Sequence, residues 1–177
     1  LEFGTAGMRG ILGVGTSKMN VHVVAKATLG FGRYLLTLDN ACARGVAIAH
    51  DNRHLSKEFA RISAEVLATL GIKSYLFEEL RPTPELSFAV RHFGCVGGIM
   101  ITASHNPKEY NGYKVYDETG CQLVPAEADK VIDEINKIDD YFNIETNLNP
   151  ENIKFIGKEV DDIYINEIKK IVLQPNL

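Results

Sequence analysis

A three-layer α/β/α domain with a mixed, mainly parallel sheet is predicted by three observations on this 177-residue chain. Short apolar runs alternate with amphipathic stretches of helical period, the pattern of strands joined by crossover helices. The runs are apolar enough for strands covered on both faces. The composition, 45% hydrophobic and 24% charged, provides for one domain with a sizeable core. The chain contains no internal repeat or low-complexity tract.

After a glycine-rich opening (Gly4, Gly7, Gly10, Gly13, Gly15), Asn20 is placed to cap a helix over Val21 to Leu38. Gly45 to Ala49 reads as a strand that ends at His50 and Asp51. Ser56 is the expected N-cap of a second helix, with Phe59, Ile62, Val66 and Leu70 on one face and Gly71 as its stop. Ile72 to Phe77 is the next strand. Thr83, Pro84 and Glu85 combine a cap, a first-turn proline and a first-turn acid, which starts a helix running to Phe93 before Gly94. Val96 to Thr102 is a fourth strand. From Gly112 to Leu123 the pattern changes to a hairpin around Asp117 to Gly120, followed by a helix over Ala126 to Ile138. Asp139 to Glu151, rich in Asn and Asp, reads as a surface connection, and Asp161 to Val172 as a final helix. Residues 1–145 thus form the expected core, and residues 146–177 a connection and terminal helix.

A formal charge of −4 with no long basic run argues against nucleic acid or an anionic membrane as partner. Cys42, Cys95 and Cys121 are too few and too scattered for a disulfide framework or a Cys-rich zinc site, so reduced thiols and a cytoplasmic location are expected. No apolar stretch approaches the length of a membrane span. The start at Leu1, directly ahead of a motif, is expected of a fragment.

The strand ending at Thr102 runs into Ala103, Ser104, His105, Asn106 and Pro107. Ligands of open α/β sheets bind beyond the carboxyl ends of the strands, so this loop lies where a site is expected. Ser104 beside an imidazole is a candidate nucleophile able to form a covalent intermediate. Equally, Ser104 and Asn106 suit plain turn bonds, with Pro107 ending the strand. Asp51, Asn52 and Arg53 also follow a strand end and either line the same crevice or act as an ion pair and loop brace. His50, His54 and His92 lack ligand-like spacing. A serine hydrolase is disfavoured, because no Gly-x-Ser-x-Gly elbow surrounds Ser104.

TASHNP, with YNGYK (Tyr110 to Lys114) after it and FGTAGMRG (Phe3 to Gly10) well before it, resembles the α-D-phosphohexomutases, the family that includes phosphoglucomutase and phosphomannomutase. The similarity extends through RPTPELSFAV (Arg81 to Val90) and covers nearly the whole chain, as the N-terminal domain I of that family. It implies that Ser104 carries a phosphoryl group, that His105 and Lys114 serve in proton transfer or charge stabilisation, and that Arg9 contacts the phosphoryl group. Thr5, Gly7 and Asn106 complete the implied phosphate-binding set. Cations and aligned donors suit a phosphoserine, which holds close to two negative charges.

The resemblance further implies movement of phosphate between the C1 and C6 oxygens of an aldohexose phosphate, glucose or mannose, through a bisphosphate. Mg2+ and a glucose 1,6-bisphosphate-type activator are the implied cofactors, with the Ser104 phosphoryl oxygen as the one metal ligand from this chain. The family's Asp-Gly-Asp-Gly-Asp-Arg type metal loop is absent from this sequence. The remaining ligands and sugar-reading loops are therefore expected in other domains of the same polypeptide, and the fragment alone is expected to be inactive. A non-catalytic phosphosugar-binding module is the alternative, although Arg9, Ser104, His105 and Lys114 are all present.

Overall fold

A computed structural model of the chain describes residues 1–4, 7–140, 142–146 and 151–174. In chain order these form β1 (Met8–Ile11), α1 (Val21–Leu35), α2 (Ala41–Arg44), β2 (Val46–His50), α3 (Ser56–Thr69), β3 (Ser74–Phe77), α4 (Thr83–His92), β4 (Gly97–Ile101), β5 (Tyr110–Tyr116), α5 (Pro125–Asn136), β6 (Ile153–Ile156) and α6 (Lys158–Lys169). One sheet holds the six strands in the order β1-β5-β4-β2-β3-β6. β4, β2, β3 and β6 run parallel, while β5 lies antiparallel between β4 and β1. The sheet is mixed and mainly parallel, as expected.

β2, β3 and β4 are buried at every position, because helices cover both faces. On one face Val46, Ile48, Ile99, Ile101, Tyr113 and Val115 pack against α1, α3 and α5 through Phe31, Phe59, Leu67, Ala128 and Val131. On the other, Ala47, Ala49, Tyr75, Phe77 and Met100 meet Leu86 and Val90 of α4 and Val160 of α6. Each large side chain so buried contributes about 1.5–3 kcal/mol. The close approach of α1 and α5 depends on Gly30, where a Cβ would stand 2.3 Å from the Ile135 side chain and 2.8 Å from its backbone nitrogen.

Asn20 caps α1 as expected, its Oδ1 accepting the Val23 N–H at 3.1 Å. Its Nδ2 also donates to the carbonyls of Gly13, Gly15 and Lys18, tying the glycine-rich opening to the helix. Several boundaries differ from expectation. α1 stops at Leu35, because the N–H groups of Thr37 and Leu38 turn back to Tyr34 and Leu35 and leave Leu36 and Leu38 on the surface. Ser56 is the first residue of α3 rather than its cap, and its hydroxyl donates to Asp51 Oδ1 at 2.7 Å. The cap position of α4 falls on Pro82, with Thr83 first in the helix.

The expected hairpin over residues 112–123 is a single strand with a turn. Asp117 Oδ1 accepts from the N–H groups of Thr119 and Cys121, only Tyr116 and Gln122 bridge, and the chain then leaves for α5 at Pro125. β1, α2 and β6 were not expected, since each has four residues and too little apolar pattern to declare itself. α6 begins at Lys158, three residues before the expected Asp161, after Gly157.

α6 is docked on α4 by an ionic cluster. Arg81 grips Asp161 through two hydrogen bonds of 2.6 and 2.9 Å, with Glu85 3.9 Å from Arg81 Nε. Burial, reinforced by the hydrogen bond and charge of Asp161, pushes the Glu85 carboxyl up to about 7, against the pull of Arg81. For Asp161 burial acts upward, but bonds from Arg81 and Glu85 prevail and hold it below its ordinary value. Because the folded Glu85 value is raised above the ordinary 4.5, its contribution to stability is complete below that value and lost as pH rises through about 7. The unfolding midpoint of the wild type is therefore expected to fall by several degrees relative to Glu85→Gln between pH 5 and pH 8, read by circular dichroism. Parallel pH profiles for the two proteins would contradict it.

Candidate active site

The serine loop begins where β4 ends. Thr102 donates its N–H to the Gly112 carbonyl on β5, and its Oγ1 accepts the Ser104 N–H at 2.9 Å. The Asn106 N–H closes the turn on the Ala103 carbonyl. Ser104 is exposed and sits at φ 55, a left-handed conformation that costs a non-glycine residue about 1 kcal/mol or more and persists where surroundings enforce it. Its Oγ lies 3.3 Å from His105 Nδ1. Among the described residues no carboxylate orients His105, so a hydrolase triad is not assembled.

Pairing of β1 with β5 brings the opening segment to this loop. Arg9 stands opposite Gly112, and its Nη1 donates to Asn106 Oδ1 at 2.7 Å. Lys114 lies within β5, opposite Met100, and is half-buried. It is a strand residue rather than a hairpin one. By the two-residue alternation of strands, Arg9, Gly112 and Lys114 share one face of the sheet. Burial, and secondarily the charge of Arg9, lower the Lys114 ammonium below its ordinary range.

Gly7, at φ 105, exchanges hydrogen bonds with Gly4 and presses on β5. A Cβ there would fall 2.0 Å from the Tyr113 carbonyl oxygen and 3.0 Å from the Lys114 Cα. Glycine is thus required for the opening segment to reach β5. Thr5 lies outside the described residues.

The strand-end triplet after β2 proves to be both ion pair and brace. Arg53 Nε faces Asp51 Oδ2 at 3.3 Å, and its two terminal nitrogens bond the carbonyls of Ser104, Asn106, Pro107 and Tyr110. Asp51, Asn52, Arg53, His54, Ser104, Asn106 and Lys108 line an open cleft of about 310 Å³. A larger cavity of about 460 Å³ between the opening segment, α1 and α5 holds none of Ser104, His105, Arg9 or Lys114. Asn111, unnoticed in the sequence, is fully buried and donates to the His54 carbonyl and Ser56 Oγ, while its Oδ1 accepts the Gly112 N–H. Its place inside YNGYK was the available signal. Among the described residues no group of three or more His, Cys, Asp or Glu side chains is arranged to hold a metal. No helix among them is long and apolar enough to cross a membrane.

The fold is thus an α/β/α domain with an exposed serine on a strand-end loop and a guanidinium, that of Arg9, hydrogen-bonded to the same loop. Residues 1–142 match the family described as phosphoglucomutase/phosphomannomutase, alpha/beta/alpha domain I, and the chain belongs to that family. It is 45% identical to a phosphoglucomutase of Staphylococcus saprophyticus over 97% of this chain and 32% of that protein. A phosphoglucomutase of Staphylococcus epidermidis is 43% identical over the same shares. The solved structure of a protein from Thermus thermophilus, proposed to be a phosphomannomutase, superposes with a TM-score of 0.80 at 31% identity, covering 96% of this chain and 35% of that one. The chain spans about a third of the length of these relatives.

Proposed function

We propose that this chain is the phosphoserine-bearing domain of an enzyme that moves phosphate between the C1 and C6 oxygens of an aldohexose phosphate, glucose or mannose. The observation that carries the reading is Ser104: exposed, held in a left-handed backbone at the end of β4, with Arg9 bound to its loop. In the proposed transfer, a sugar hydroxyl oxygen bonds to the phosphorus as the Ser104 Oγ–P bond breaks. His105 takes the hydroxyl proton and Lys114 gives one to Ser104 Oγ, so that the proton count balances. Arg9 neutralises charge on the phosphoryl oxygens. The bisphosphate then turns round and returns its other phosphoryl group to Ser104 by the reverse steps. A bisphosphorylated sugar serves as the activator that recharges the serine.

Mg2+, when bound, offsets charge on the phosphoryl oxygens. The donor set here suits one ligand, the Ser104 phosphoryl oxygen, because the neighbouring carboxylate Asp51 is already engaged by Arg53 and Ser56. The other ligands and the sugar-reading groups are assigned to further domains of a longer polypeptide. In this reading residues 1–145 are the core of domain I, and residues 146–177 add β6 to the sheet and lead, through α6, toward those domains. Three scattered cysteines and a net charge of −4 favour a cytoplasmic enzyme without nucleic-acid or membrane partners.

The test is mass spectrometry of the longer protein after incubation with Mg2+ and glucose 1,6-bisphosphate, beside the same assay for conversion of glucose 1-phosphate. Phosphate on Ser104 and turnover in the longer protein, with no turnover by residues 1–177 alone, is the expected outcome. An unmodified Ser104 would refute the reading, and a fully active fragment would refute the division of labour. A non-catalytic binding module would hold sugar phosphate while leaving Ser104 unmodified.

A further inference from the structure

The Arg53 side chain is only 11% exposed, and its four terminal N–H groups are all committed. Nη1 donates to the carbonyls of Pro107 at 2.9 Å and Tyr110 at 3.1 Å, and Nη2 to those of Ser104 at 2.7 Å and Asn106 at 2.6 Å. Nε faces Asp51, whose other carboxylate oxygen takes the Arg53 N–H at 2.9 Å and the Ser56 hydroxyl at 2.7 Å. The guanidinium is thus fixed from behind by the end of β2 and the start of α3, and in front it collects the backbone of the reactive loop. No terminal N–H remains for a phosphoryl oxygen.

Peptide groups in this loop are trans, so the Ser104 carbonyl, turned toward Arg53, turns the His105 N–H away from it. For the Ser104–His105 peptide this has a chemical result. The Ser104 N–H bonds Thr102 Oγ1 and the Asn106 N–H bonds the Ala103 carbonyl, whereas the His105 N–H meets no acceptor among the described residues. An unengaged N–H next to a residue in the left-handed region is the kind of donor from which backbone anion sites are made.

We propose that Arg53 is a positioning residue for phosphoryl transfer at Ser104: it touches no reacting atom, but it holds Ser104 in its left-handed conformation and aims the His105 N–H as a donor to the phosphoryl group. This rests on the phosphoserine reading above. Lysine at this position would keep the charge, but its single ammonium centre lacks the planar fork that spans carbonyls from residue 104 to residue 110.

The experiment measures single-turnover phosphate uptake on Ser104 of the longer protein from glucose 1,6-bisphosphate, in which the Ser104 Oγ–P bond forms, a sugar O–P bond breaks and the serine proton leaves with the sugar oxygen. Arg53→Lys is expected to lower the limiting rate about 100-fold, the scale of a 1 Å misplacement. The half-saturating bisphosphate concentration should stay within about threefold of wild type, since no binding contact is removed. A limiting rate equal to wild type, or a loss confined to half-saturation, overturns the inference. A second measurement needs no variant: on phosphorylation of the wild type, amide exchange of His105 should slow at least tenfold while that of Asn106 stays unchanged, and an unaltered His105 amide overturns the proposal. Wild-type protein that takes up no phosphate refutes the functional reading itself, whereas wild-type uptake with an unimpaired Arg53→Lys refutes this inference alone.

Discussion

Ser104→Ala in the longer protein is expected to abolish phosphate incorporation from a hexose bisphosphate while leaving the unfolding midpoint unchanged within a few degrees. The side chain is exposed, so its removal opens no cavity, and apart from the exposed 3.3 Å contact of its hydroxyl with His105 the loop's bonds run through the backbone of Ser104. Alanine still has to occupy φ 55, which it accepts at a cost similar to that of serine. Only the proposed nucleophile disappears. Radiolabelled phosphate retained by the variant at the wild-type level would show that the phosphoryl carrier lies elsewhere.

Lys114→Ala is expected to slow transfer by about 10²–10⁴-fold, the range of a lost general acid. Its effect on the fold should stay within about 1 kcal/mol, because the half-buried side chain forms no ion pair among the described residues and β5 keeps its pairing with β4 and β1. Burial first, and the neighbouring Arg9 second, make the ammonium a readier proton donor than an exposed lysine. The charged form is the acting one in the proposed step. The wild-type rate should therefore decline on the alkaline side at a lower pH than an ordinary lysine would give, and this limb should be missing from the variant's profile. A variant retaining both rate and limb would reduce Lys114 to a strand residue without a role.

Most of the fold was legible because the central strands are written in uninterrupted apolar runs. VAIAH and GGIMI declare burial on both faces, and the helices between them carry their glycine stops, Gly71 and Gly94, in plain view, although Ser56 and Thr83 open those helices rather than cap them. The peripheral strands were not legible. MRGI contains an arginine and a glycine in four residues, and IKFI follows a segment rich in Asn and Asp; each becomes a strand only because β5 or β3 offers it an edge. Asp117 produced the reverse error, since its turn chemistry announces a hairpin although the chain after the turn pairs at a single bridge.

The site divides along the same line. Ser104, His105 and Asn106 adjoin one another in sequence and are expected from their position after a strand. The contact of Arg9 with Asn106 spans 97 residues and arises from the β1–β5 pairing, which local pattern does not encode. Arg53 was readable as a brace, but not as the holder of four separate carbonyls, because those acceptors are backbone atoms with no signature in the side-chain sequence.

The pairing of β1 with β5 also sets an order of events in folding. Residues 8–11 leave the ribosome long before their partners, residues 110–113, so β1 waits for four other strands to be synthesised before it can join the sheet. Closing so long a loop is entropically worthwhile only once β4 and β5 stand ready as a template. Arg9 thus reaches Asn106 as one of the last acts of assembly, and a half-made domain has a serine loop braced by Arg53 but not yet joined by Arg9.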